Sequence, residues 1–367
     1  MNCKHFGVCG GCTLPGVPYA EQLTRKRNQL SRLLNVDVPP LIPSPKESGF
    51  RNKVAFVFGA AGRDRSVMGH FARGSQRVIP IEECPVHHAR GNQVAFALRD
   101  RLQKVRIFSD LLRHLVIRVT DDGKEASAML VVHENDKSLR APIKKFLASD
   151  DKPDGFFVNV NSKPGPYMVG EQTLKIEGRS HVKETIGDVS YLVSPTAFFQ
   201  TNSGAAAVLV RLVLEELADA KRVLDLYCGT GLFTLPIAKR GATVTAIEEN
   251  RQAIADAELN VRLNRLPAGQ IRFLAARVED ALVRVSKDAW DAIVLDPPRQ
   301  GCPPAVLTSV FEKMRPARVV YVSCNPDALA AEMPVILKTG YRVSRVQPVD
   351  MFPHTEHIET GVSFARA

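Results

Sequence analysis

The sequence predicts an α/β protein, with a doubly wound parallel sheet in its C-terminal half and an α+β region before it. Three observations carry this. After about residue 194, short apolar runs at Val223–Leu226, Thr243–Ile247, Ile271–Leu274, Ala292–Leu295 and Val319–Val322 alternate with helical stretches such as Arg251–Asn264 and Ala328–Lys338. Nearly continuous apolar strands separated by helices are the pattern of a parallel sheet buried on both faces. Earlier in the chain, strand-like runs at Lys53–Phe58, His114–Thr120, Ala126–His133 and Phe156–Asn161 flank helical patterns near Asn92–Gln103 and Ser138–Leu147 without regular alternation.

Before those strands, Tyr19–Leu34 reads as a basic amphipathic helix. Leu23, Leu30, Leu33 and Leu34 oppose Arg25, Lys26, Arg27 and Arg32. The proline-rich run Val38–Pro45 predicts an extended connector, because proline is excluded from helix interiors. Three units are expected: residues 1–90, 91–193 and 194–367.

The 367 residues suffice for two or three such units. Apolar residues at 45% and charged residues at 24% exclude a disordered, collagen-like or disulfide-scaffold chain. No apolar run is long enough for a spanning helix, and no apolar core of a secretory signal follows Met1, so a cytoplasmic protein with no membrane partner is expected. The net charge is +10, and residues 1–90 hold 13 Lys/Arg against 6 Asp/Glu. That bias suggests a polyanionic partner, nucleic acid first.

Ligands of a doubly wound sheet bind at the carboxyl ends of its strands, so the motifs there bear the chemistry. The first strand runs into Asp225-Leu226-Tyr227-Cys228-Gly229-Thr230-Gly231. A dinucleotide fold would want a further glycine at Thr234 to seat a pyrophosphate. Its absence, with Glu248 ending the second strand where a carboxylate can accept from both ribose hydroxyls, favours S-adenosylmethionine. The fourth strand ends in Asp296-Pro297-Pro298-Arg299, a rigid turn that lacks the aromatic residue of simple N-methylating enzymes. The fifth ends in Ser323-Cys324-Asn325-Pro326, where the amides of a helix start can lower a thiol pKa. A thiolate there can add to carbon 6 of uracil and make carbon 5 nucleophilic, after which a base must take the carbon-5 proton. His354, Glu356, His357 and Glu359 lie together near the C-terminus as candidates for that base.

These motifs resemble the uracil-C5 RNA methyltransferase family, together with Phe198-Phe199-Gln200-Thr201-Asn202 and Asp296–Gly301. The resemblance implies a Rossmann-like class I methyltransferase sheet, with Cys324 as nucleophile and Glu359 as base. It implies contacts to S-adenosylmethionine from Gln200, Tyr227, Gly229, Gly231, Glu248 and Asp296. Two rival readings are an inactive RNA-binding relative, opposed by the presence of Cys324 and Glu359, and a DNA cytosine-C5 enzyme. The latter carries its nucleophile after the fourth strand.

Cys3, Cys9 and Cys12 precede a distant Cys84. Four thiolates suit zinc or an iron–sulfur cluster. The resemblance implies a [4Fe–4S] cluster at these four positions, shaping a basic surface with Arg51, Lys53, Arg73 and Arg77. His5, His87 and His88 are expected at the surface. The early cysteines and Gly49–Lys53 resemble the short bacterial form acting on a 23S rRNA hairpin, with the tRNA T-loop as second expectation. The protein is expected to be a monomer.

Overall fold

The computed structural model describes residues 2–60, 66–105, 110–163 and 168–367. The chain enters through the cysteine-bearing turns of residues 3–12 and then forms α1 (Tyr19–Leu34). Proline at residue 18 starts α1, and Asn35 in the left-handed region (φ +51°) ends it. Leu30, Leu34 and Val38 join the core of the C-terminal sheet. The extended connector then pairs Ile42 with Val349 and carries the chain away.

A seven-stranded sheet follows, built from β1 (Lys53–Ala60), β2 (Ser66–Phe71), β3 (Val78–Pro80), β4 (Leu112–Val119), β5 (Ala126–Val132), β6 (Gly155–Val160) and β7 (Gln172–Gly178). Its order is β3-β2-β1-β4-β5-β6-β7, with β5 and β6 parallel and the other pairs antiparallel. Helices α2 (Ala89–Leu102) and α3 (Arg140–Leu147) cover one face, and Leu98 and Phe146 are fully buried against it.

The hairpin of β8 (Val182–Ile186) and β9 (Val189–Val193) does not continue that sheet. Its Val182, Tyr191 and Val193 pack with α4 (Ser203–Glu216) in the core of the second large sheet. This sheet comprises β10 (Arg222–Leu226), β11 (Thr243–Glu248), β12 (Ile271–Ala275), β13 (Ala292–Leu295), β14 (Arg318–Ser323), β15 (Tyr341–Val349) and β16 (Glu359–Arg366). Helices α5 (Thr234–Lys239), α6 (Arg251–Leu263), α7 (Val278–Val285), α8 (Pro304–Leu307) and α9 (Pro326–Lys338) link its parallel strands. The order is β12-β11-β10-β13-β14-β16-β15, with β16 antiparallel to both neighbours. Strand order reverses between β10 and β13, which opens a crevice at their carboxyl ends.

The packing corrects the three expected units. The break at residue 90 falls inside a single sheet, since β1 pairs directly with β4. Helix α1 packs on α9, and β8–β9 on α6, so both belong with the C-terminal sheet. The final strand β16 is not at an edge. β15 forms the edge instead.

Candidate active site

The antiparallel register of β14 and β16 pairs Val322 with Gly361 and Ser323 with Thr360. One further step sets Cys324 opposite Glu359. The thiol is half-buried, whereas Glu359 is 2% exposed. Burial pushes the Cys324 thiol up to about 11, and the carboxylates of Glu359 and Asp296 push the same way, while Arg299 opposes them. This corrects the expectation that the start of α9 lowers this pKa: desolvation outweighs it. Burial likewise holds Glu359 well above the usual carboxylate range, with Asp296 adding to the effect and Arg299 opposing it. Asn325 fastens the two turns. Its side chain caps α9 by accepting from Asp327 N (3.2 Å) and donates to the Arg299 carbonyl (2.8 Å). The rival base Glu356 is exposed.

At the neighbouring strand ends, Asp225 is fully buried and accepts from Thr234 Oγ1, yet its Oδ1 has no hydrogen-bond partner. Burial lifts Asp225 to about 7, and it lifts Asp296 to about 7 with Asp225 adding charge repulsion. Two carboxylates line this crevice, and among the described residues neither is in an ion pair. Glu248 accepts from the amides of Gly229 (3.1 Å) and Asn250 (2.8 Å), which pins the glycine turn to the end of β11. Tyr227 takes a left-handed φ of +66° and lies beside Cys302. A Cβ on Gly229 would meet no atom within 4 Å, so the turn faces open space. Gly231 has another reason to be glycine: its φ of +92° is one that other residues rarely adopt, and a Cβ there would also displace the end of the Leu235 side chain. Uncompensated carboxylates, an open glycine turn and a strand-end glutamate suit a cationic, ribose-bearing ligand without phosphate.

Gln200 is 8% exposed, in a segment stitched from both sides. Asn52 N donates to Thr201 O (2.8 Å), and Asn202 caps α4 while donating to Ser44 Oγ and Met351 O (both 3.0 Å). Phe198 stands out at 67% exposed.

Cys3, Cys9, Cys12 and Cys84 all line one cavity of about 480 Å³, together with Arg51, His70 and His87. Burial raises the Cys12 thiol to about 11 and that of Cys84 to about 12, and the thiols reinforce one another. Ligand atoms of His70, Cys84 and His87 lie within 4.8 Å of one another, a second possible donor set. His87, expected at the surface, is 3% exposed, because its ring packs edge-on against Phe56. Arg51 also departs from expectation: it faces the thiols rather than an outer basic surface. Lys53 is desolvated beside Arg118, with its pKa lowered to about 7. Arg73 and Arg77 are exposed.

A family profile described as tRNA (uracil-5-)-methyltransferase matches residues 18–367. The chain belongs to this family. It is 35% identical to an uncharacterized RNA methyltransferase of Geobacter sulfurreducens over 98% of this chain and 75% of the relative. It is 33% identical to the tRNA (uracil(54)-C(5))-methyltransferase of Pyrococcus abyssi, over 98% of this chain and 84% of that one. The crystal structure of the Pyrococcus abyssi enzyme in complex with S-adenosyl-L-homocysteine superposes with a TM-score of 0.82 at 31% identity, covering 97% of this chain and 85% of that chain. The protein is thus an S-adenosylmethionine-dependent RNA (uracil-C5)-methyltransferase with a Rossmann-like sheet.

The fold brings Cys324, Glu359, Asp296 and Arg299 of this methyltransferase to one edge, with Tyr227, Gly229 and Glu248 beside them. The four N-terminal cysteines gather separately. Sequence reasoning counts the acidic residue before the glycine turn in favour of a methyl donor but does not carry Asp225 into the candidate site, where its burial now places it beside Asp296. It also missed Arg51 as a partner of the thiols, for which a basic residue in a basic region gives no signal.

Proposed function

We propose that this methyltransferase acts through a covalent bond between Cys324 and carbon 6 of a target uridine, with Glu359 as the base. The observation that carries this is the half-buried thiol directly after β14 and the buried carboxylate that begins its partner β16, near enough for the charge of Glu359 to act on the thiol. Cys324 Sγ, as thiolate, adds to carbon 6, and the electron pair moves to carbon 5 and the carbon-4 oxygen. When bound, the donor supplies a methyl group on a sulfonium. Carbon 5 takes that methyl group. Glu359 then accepts the carbon-5 proton, the bond from carbon 6 to Sγ breaks, and the thiolate leaves as the 5,6 double bond re-forms. A desolvated carboxylate is a stronger base than one in water, which suits this proton transfer. Arg299 offsets charge near both groups. Glu248 would hold the ribose hydroxyls, Asp296 and Asp225 would face the cationic end of the donor, and Gln200 and Tyr227 would flank it.

Cys3, Cys9, Cys12 and Cys84 would hold a [4Fe–4S] cluster, tying the first residues to the Cys84 turn. One triplet of cysteines joined by a single remote cysteine supports this over a zinc ribbon, which carries two close pairs, and all four cysteines line one cavity. The substrate is a uridine in an RNA hairpin loop, splayed out and read by stacking and base edges. The exposed Phe198 ring offers a stacking surface beside Gln200. A 23S rRNA hairpin is the first candidate. The tRNA T-loop stands beside it, favoured by the likeness to a Pyrococcus abyssi enzyme named for uridine 54 of tRNA.

The test uses 5-methyluridine mapping by mass in RNA from a deletion strain, and purified variants on the RNA so identified. Cys324→Ala should bind RNA and form no adduct. Glu359→Gln should accumulate a methylated protein–RNA conjugate as a slow band on a denaturing gel. Turnover by Cys324→Ala overturns the covalent mechanism. An adduct with Glu356→Gln, beside normal turnover by Glu359→Gln, reassigns the base.

A further inference from the structure

The cysteine cavity holds a charge that the proposed reaction does not use. Arg51 enters it from the segment just before β1, bridged to His87 and anchored by backbone bonds from its amide to Val86 O (2.8 Å) and from His88 N to its own carbonyl (3.0 Å). Its Nε is buried and has no hydrogen-bond partner. Among the described residues it forms no ion pair with a carboxylate. The charges that favour its ionised form are those of Cys84, Cys12 and Cys9. A guanidinium presents five donors in a rigid fork and stays charged almost everywhere, so leaving it desolvated beside neutral thiols is unfavourable.

We infer that Arg51 is the built-in counter-charge of the metal centre, selecting a centre of net negative charge and setting its reduction potential. This rests on the reading that the four cysteines hold an iron–sulfur cluster. Four thiolates around a [4Fe–4S]²⁺ core carry two net negative charges. The cavity's other donor set, His70, Cys84 and His87, supplies one thiolate. Around a divalent ion it would leave one net positive charge against the guanidinium. Arg51 therefore discriminates between two sites that share Cys84. The same positive charge stabilises the reduced cluster, which bears one more electron, over the oxidised one. Net charge and hydrogen bonds at the sulfurs are the protein's means of adjusting such potentials. The unpartnered Nε is free to donate to a cluster or thiolate sulfur.

The experiment compares wild-type protein, Arg51→Met and Arg51→Lys after anaerobic reconstitution with iron and sulfide. Iron and sulfide are counted, the midpoint potential is titrated by absorbance and electron paramagnetic resonance, and iron loss to a chelator is timed. The wild-type iron count tests the cluster reading by itself. Given a cluster, Arg51→Met should shift the ratio of reduced to oxidised protein at least tenfold toward oxidised, a fall of about 59 mV for one electron. It should also release iron at least tenfold faster, whereas Arg51→Lys stays within about threefold of wild type in both. Failure of Arg51→Met to assemble while Arg51→Lys assembles supports the charge argument equally. A wild-type potential in Arg51→Met overturns the inference. So does loss of the cluster from both variants, because lysine keeps the charge.

Discussion

Cys324 and Glu359 share one protonation logic. In the proposed mechanism addition requires the thiolate and proton abstraction requires the carboxylate, and in this site both groups are shifted toward their protonated forms. With the thiol near 11, kcat/KM should climb with pH from 6 to 9, about tenfold per unit where one deprotonation limits and more steeply where both do. Arg299 is the positive charge that moderates both shifts. Arg299→Met should therefore lower kcat/KM at pH 8 by about tenfold and move the profile to higher pH. A pH–rate profile identical to wild type would remove Arg299 from this role. Asp225 poses a trade-off. Its folded pKa of about 7 lies above the unfolded value, so between the two the native state binds more protons and stability falls as pH rises. Asp225→Asn should then raise unfolding free energy at pH 8 by roughly 1–3 kcal/mol while weakening S-adenosylmethionine binding. Urea denaturation at pH 5 and pH 8 checks the sign: the gain should shrink at the lower pH.

At the scale of elements, the strands of the C-terminal sheet were legible because burial on both faces demands apolar residues throughout. Ala292–Leu295 matches its observed bounds, and α1 matches Tyr19–Leu34, with proline and a left-handed asparagine at its ends. β15 was not legible. As an edge strand it exposes Arg342, and Pro348 sits inside it, so neither alternation nor composition marks it. The hairpin β8–β9 lacked a signal because its partner is a distant helix: Asn260 and Asp256 of α6 accept from Leu192 N and Ser194 N. Lys26 was misread for the same reason. Periodicity put it on the solvated face of α1, yet it is 1% exposed, donating to Asp350 (2.6 Å) and to Phe352 O (3.1 Å). Its partner lies 324 residues away, beyond any local pattern. Lys26→Met leaves the Asp350 carboxylate buried and unpaired, so it should cost about 3–5 kcal/mol, and Lys26→Met/Asp350→Asn should recover most of it. Additive losses in a denaturation cycle would show that the pair is not coupled.

Across the whole molecule, the cysteine segment and the loop before Glu359 are one hydrogen-bonded unit. Thr13 and Leu14, directly after Cys12, donate both amides to the His354 carbonyl (3.0 Å each), and Thr13 Oγ1 accepts from Glu356 N (2.8 Å). Gln22 of α1 accepts from His354 N (2.7 Å) and bonds its ring at Nδ1 (3.2 Å). His354 itself is held at φ +66°, a left-handed conformation that a non-glycine residue keeps only when its surroundings enforce it. Five residues later the chain reaches Glu359. A metal centre at the proposed site would fix Cys12 and with it Thr13 and Leu14, and through them the loop that leads to Glu359, the proposed base. The donor crevice lies mainly on other strand ends, those of β10, β11 and β13, which share none of these bonds; the Gln200 segment alone reaches the loop, through Asn202 to Met351 O. Cys84→Ser, lacking one of the four thiols, should consequently lower kcat by about tenfold or more, the scale expected when a catalytic group is misplaced. Its affinity for S-adenosylmethionine in calorimetry should stay within about threefold of wild type, a difference below 1 kcal/mol. Hydrogen exchange should report loss of protection at residues 352–358 in the same variant. Intact protection there after loss of the metal would show that the two ends of the chain are joined but not coupled.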